Sequence, residues 1–163
     1  MRIAGLHINA YGILRDYTVD GHELDGSPVL VYGLNEAGKS TFMSFIRGVL
    51  FGFKAEGAKT VPVHGGQVGG WLLLENQNGE IHRVERTGKR GGKVSVELPD
   101  GTREGDSFLR SRILHGVSPV LFRNVFAIGM DELRKLEDLK KEEVSAHIYG
   151  AGTGVSPDRL SRA

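Results

Sequence analysis

The residues of this chain best suited to chemistry are Gly33-Leu34-Asn35-Glu36-Ala37-Gly38-Lys39-Ser40, which fit the spacing G-x-x-x-x-G-K-S/T in full. Each residue type has a physical reason. Gly33 and Gly38 let the backbone curl so that successive N–H groups converge on phosphate oxygens, the Lys39 ammonium neutralises the outer phosphates, and the Ser40 hydroxyl is placed to ligate Mg. The pattern predicts a site for a nucleoside triphosphate. Other groups of interest are Tyr11 and Gly12 in an early turn, His64 in a glycine-rich stretch, Gln77 in a second turn, and the pair Asp131-Glu132.

The flanking sequence supplies the elements such a loop needs. Val29-Leu30-Val31-Tyr32 has the character of a short buried strand, and Thr41 to Phe51 is apolar at helical spacing, so the loop is expected on a helix N-terminus whose dipole favours anions. Met1 to Ile8 and Leu14 to Val19 alternate apolar positions around an Asn9 to Gly12 turn and predict an antiparallel pair. Residues 52–70, rich in Gly, Lys and Pro, predict a surface loop. Trp71 to Glu75 and Glu80 to Arg86 form a hairpin about Asn76 to Gly79, which places Gln77 at the surface, and Lys93 to Leu98 adds a strand before Asp100-Gly101. Helices are expected over Gly105 to His115 and Ser118 to Val125, then a charged helix from Met130 to Tyr149 and glycine-rich Gly150 to Gly154.

Composition narrows the class. The chain has 163 residues, 39% hydrophobic and 25% charged, enough for one sizeable core and ordinary for a soluble protein. Its net charge of +1 gives no global case for nucleic acid. Arg83, Arg86, Lys89, Arg90 and Lys93 do cluster, in a hairpin where a solvated basic face is the expectation. With no cysteine there are no disulfides or thiolate metal sites. No signal peptide or membrane-spanning run is present, so the expected location is cytoplasmic, with no membrane partner.

The order of elements, strands, phosphate loop, helix and then a block of antiparallel strands, differs from simple βαβ alternation. Leu6 to Gly12, Gly33 to Thr41, Phe45 to Phe53 and Val125 to Leu133 together resemble the YhaN-type AAA ATPases, relatives of the SMC, SbcC and RecF chromosome and repair proteins. The resemblance implies an α/β fold: lobe I of an ABC-type ATPase head, with a mixed sheet and an antiparallel β insertion. It implies that Gly33, Asn35, Glu36, Ala37, Gly38, Lys39, Ser40 and Thr41 hold ATP, with Mg on Ser40. In related heads the first turn also approaches the nucleotide, which would bring in Tyr11 and Gly12; Ile13 stands where a basic residue is common, and the competing expectation packs Tyr11 against its own hairpin. His64 is expected to be exposed, with contact to the nucleotide as the alternative.

Two readings of Ala127-Ile128-Gly129-Met130-Asp131-Glu132 imply different enzymes. As the end of a Walker B strand, Asp131 would hold Mg and Glu132 would polarise the attacking water. As the Q-loop region of an SMC-like head, the segment has Met130 where a glutamine is usual and no catalytic residue in this chain. The second reading is preferred, because Gly129 weakens a buried strand and the family pattern covers both flanks. No Leu-Ser-Gly-Gly signature or heptad region is present. The expectation is therefore one nucleotide-binding lobe over residues 1–163, with 150–163 a flexible tail leading to an absent coiled coil. Its partners would be the C-terminal lobe of the same head and a second head across the nucleotide, with DNA reached through the full-length protein. Such a lobe alone is expected to hydrolyse ATP poorly. A self-contained ATPase and a nucleotide-gated interaction module are the alternatives.

Overall fold

The computed structural model describes residues 1–24, 28–88 and 92–127. They fall into two units, Met1–Gly116 and the part of Val117–Ala163 that reaches residue 127.

In the first unit, alternating apolar positions build β1 (Arg2–Tyr11), β2 (Leu14–Val19), β3 (Gly69–Glu75), β4 (Ile81–Thr87), β5 (Lys93–Glu97) and the short β6 (Arg103–Glu104). These strands form one six-stranded sheet in the order β2-β1-β3-β4-β5-β6, with antiparallel pairing throughout. The family resemblance implies a mixed sheet with an antiparallel β insertion. Instead β1 pairs directly with β3, Leu6 opposite Leu72 and Arg2 opposite Glu75, so the N-terminal hairpin and the later strands are one continuous layer. β1 also runs on to Tyr11, which moves the turn to Gly12-Ile13.

One face of this sheet carries the core. Leu6, Ile8, Leu72, Val84 and Val96 are each at most 1% exposed, and α1 (Lys39–Phe51), whose Phe45 and Val49 are fully buried, packs on β1, β3 and β4. Each such side chain contributes about 1.5–3 kcal/mol on burial. The close fit requires glycine at one point: a Cβ on Gly70 would lie 2.0 Å from the His7 carbonyl oxygen and 2.9 Å from Phe45 Cζ. On the opposite face Trp71 is half-buried between His7, stacked at 5.8 Å, and Arg83, whose guanidinium sits 4.9 Å from the ring centroid.

After α1 the chain forms a 3-10 segment, Phe53–Thr60, where a plain loop is expected. The β3–β4 turn is held by Asn76, whose Oδ1 accepts from the amides of Asn78 and Glu80, and Gln77 is exposed as expected. A helix opens as α2 (Asp106–Phe108) and widens into a π-turn over Leu109–Ile113. In the second unit α3 (Pro119–Leu121) starts with Ser118, whose Oγ accepts from the Leu121 amide at 3.1 Å, and widens over Phe122–Phe126. No described helix is long and apolar enough to cross a membrane.

Val29-Leu30-Val31-Tyr32 departs most from expectation. It is no strand in the structure and pairs with none among the described residues. Leu30 is 89% and Tyr32 85% exposed. The run has strand-forming side chains, but both sides of β1 are taken, by β2 and by β3, so it cannot pair there.

Candidate functional site

The extended run leads into a tight turn closed by the Ala37 amide donating to the Leu34 carbonyl at 3.2 Å. Glu36 sits in that turn at φ +66°, a left-handed conformation that costs a non-glycine residue about 1–2 kcal/mol. Gly38 follows at φ +93° and caps α1, accepting from the Phe42 amide at 2.8 Å. A side chain at Gly38 would also press on Ile13 Cδ1 at 3.1 Å and Leu14 Cδ2 at 3.2 Å, so the β1–β2 turn packs against the backbone of the loop. At Gly33 an added Cβ would lie 3.0 Å from that of Ala37. Conformation thus favours glycine at position 38, and at both positions an added Cβ would make a tight side-chain contact.

The helix start is left open to an anion. The first amides of any α-helix lack intrahelical acceptors, and here no side chain caps them and no acidic residue lies in the first turn. Lys39, at the first helical position, folds back so that Nζ donates to the carbonyls of Gly33 at 2.6 Å and Leu34 at 2.7 Å. The lysine is exposed, yet tethered to the loop it serves. Ser40 is exposed beside it, its hydroxyl without a hydrogen-bond partner among the described residues, and Thr41 is half-buried. Gly33 to Thr41 are accordingly brought together, with a cation, free amides and a hydroxyl converging on one helix end. The fit to a triphosphate with Mg rests on these donors and on the Ser40 hydroxyl. No group of three or more His, Cys, Asp or Glu is positioned to hold a metal among the described residues.

The secondary candidates divide. Tyr11 is buried against α1 and the 3-10 segment: its ring meets Phe45 at 5.5 Å and Phe53 at 5.4 Å, and its hydroxyl lies 2.9 Å from Ser44 Oγ. Ser44 Oγ in turn donates to Glu56 at 2.8 Å and ties the 3-10 segment to α1. The Gly12 carbonyl accepts from the Val63 amide at 2.8 Å, which draws the stretch after that segment to the same turn. His64 is exposed, with no side-chain partner among the described residues. Met130, Asp131 and Glu132, and the tail at 150–163, lie outside the described residues.

Arg86 is the residue whose placement the basic cluster conceals. It is 4% exposed on the core face, with Nε donating to the Val49 carbonyl at 2.8 Å and a terminal nitrogen bridged to Asp106 at 3.2 Å. The expected solvated face is corrected for this member. The strand alternation contains the signal, since Val84 and Arg86 share a face.

Residues 1–160 match the family model described as an AAA domain. The chain is 34% identical over 150 residues to the uncharacterized protein YhaN of Bacillus subtilis (strain 168), a match that covers 91% of this chain and 15% of that relative. The chain thus spans about 15% of the length of the relative it matches. With the loop, its lysine and the open helix start in one place, and the family match covering nearly every residue, the chain belongs to the AAA domain family of ATPase-type, nucleotide-binding domains.

Proposed function

We propose that residues 33–41 bind ATP with Mg and that the chain is the N-terminal head segment of an SMC/RecF-like ATPase acting in DNA repair or chromosome maintenance. The observation that carries the nucleotide reading is the Lys39 ammonium held over the loop carbonyls at an uncapped helix N-terminus. Lys39 would exchange those carbonyls for the outer phosphates, the loop amides would hold the inner ones, and the Ser40 hydroxyl would serve as a ligand to Mg, which would neutralise phosphate charge. The high exposure of Leu30 and Tyr32 supports the head-segment reading, because an apolar run next to a phosphate site is suited to pairing with strands of a second lobe. Hydrolysis then requires that lobe and an opposing head, the location is cytoplasmic, and DNA is engaged by the longer protein.

Calorimetry with Mg-ATP on the wild type and Lys39→Ala tests the site. Loss of the charge-assisted contacts should weaken binding by about ten- to a hundredfold, with the fold retained because the lysine is exposed. Equal affinity in the two forms would refute the assignment. Glu132→Gln separates the enzymatic readings: little change in weak turnover fits the head segment, whereas a fall by orders of magnitude with trapped ATP would make Asp131 and Glu132 the catalytic pair of a self-contained ATPase.

A further inference from the structure

Burying a guanidinium against the end of a helix is costly, and around Arg86 it leaves a cavity whose lining is more cationic than its structural pairing requires. The cavity has a volume of about 840 Å³ and is lined by Phe51 and Gly52 at the C-terminus of α1, by Lys54, by Arg86 and Val94 of the sheet, and by Asp106 and Arg110 of the following helix. Its only carboxylate among these residues, Asp106, is bridged by both Arg86 and Arg110. Three cations against one anion leave the lining at a net +2.

The donors that remain are placed at the accessible side. Arg110 gives only its Nε to Asp106, is 70% exposed, and has terminal nitrogens with no partner among the described residues. Lys54 is exposed and has no hydrogen-bond or ion-pair partner among them. Arg86 forms the floor, with its side chain 5% exposed. Burial holds the Arg86 guanidinium below its ordinary pKa, with the Asp106 hydrogen bond and charge opposing that effect, so additional negative charge nearby would stabilise its ionised form. The negative end of the helix is muted, because the Gly52 amide bonds the Gly48 carbonyl and Arg86 Nε the Val49 carbonyl.

We propose that this cavity binds the phosphate group of a second ligand, held by Lys54 and the Arg110 fork above Arg86. A planar arginine fork with a mobile ammonium beside it suits phosphate oxygens. The 13 residues of α1 separate this place from the phosphate loop by about 20 Å, so a single nucleotide triphosphate in the loop does not fill it. The chemistry is shared by a small phosphorylated metabolite and by the phosphodiester of a nucleic-acid strand.

The test uses the whole chain carrying Lys39→Ala, which disables the loop and makes failure here distinct from failure of the nucleotide reading. Amide spectra are recorded against inorganic pyrophosphate and, separately, a single-stranded deoxyoligonucleotide. Saturable shifts at Gly52, Lys54, Val94 and Arg110 are expected, with affinity falling about tenfold or more when Lys54→Ala and Arg110→Gln are added. Because both side chains are exposed, the added changes should leave the fold intact; Lys54→Ala alone serves if the combination does not fold. Tighter binding of pyrophosphate identifies a small phosphate ligand, and tighter binding of the strand a phosphodiester. Absence of shifts at these amides with both probes, or unchanged affinity in the variants, overturns the proposal.

Discussion

Replacing Arg86 by Met tests whether a buried charge holds the end of α1 to the sheet. Methionine keeps an unbranched stem of similar length, so little packing is lost, while the bonds to the Val49 carbonyl and to Asp106 disappear. An unsatisfied buried carbonyl costs about 1–3 kcal/mol. Asp106 should add about 0–1 kcal/mol, because its side chain is 39% exposed and keeps Arg110. Against this stands the relief of desolvating the guanidinium, the leading cause of its lowered pKa. The net expectation is a loss of about 1–3 kcal/mol, less than the 3–5 kcal/mol typical of breaking a fully buried pair. For a chain of this size that is a fall of about 2–12 °C in Tm. Urea unfolding followed by circular dichroism should show a lower midpoint at unchanged slope. A variant more stable than the wild type would refute the reasoning, since the charge would then cost more than its bonds return.

Two further substitutions probe the loop's supports. Gly48→Ala, which in an exposed helix adds about 1 kcal/mol, should instead destabilise by about 1–3 kcal/mol, because its Cβ would lie 2.4 Å from Phe53 Cδ1 and Phe53 is 1% exposed; denaturant titration showing a gain would mean that Phe53 moves freely. Leu30→Asp should shift the stability of this chain by no more than about 0.5 kcal/mol, since Leu30 is 89% exposed, yet lower ATP turnover in a longer protein that pairs this run. A loss above about 1 kcal/mol in the chain alone would show that Leu30 is covered.

The phosphate loop and α1 were legible in the sequence because Gly33, Gly38, Lys39 and Ser40 owe their identity to local geometry, which spacing records. The β3–β4 hairpin was legible for the same reason, its turn being set by Asn76 and Gly79. What depends on distant partners was not. Val29 to Tyr32 has the propensity of a strand, but propensity does not state whether a neighbour exists. The joining of β1 to β3 depends on residues more than fifty positions apart, such as Ile8 and Gly70, and no local pattern encodes it. Arg86 was hidden by its chemistry: counted with Arg83 and Lys93 it suggests solvent, while its period-two relation to Val84 puts it inside.

That joining of β1 to β3 also orders events in time. The β1–β2 hairpin and the β3 to β6 meander pair sequence neighbours and can form on the microsecond scale typical of hairpins. Among the described strand pairs, only β1 with β3 must close a long connection, and that connection contains the phosphate loop and α1. Since Gly38 packs on Ile13 and Leu14 while α1 packs on β3 and β4, the loop has its final shape only once this closure is complete. Contacts distant in sequence are the slow ones. Competence to bind phosphate should consequently be acquired late in refolding, in step with the β1–β3 register and after the hairpins, so that a nucleotide present during refolding would slow unfolding without accelerating the early phase.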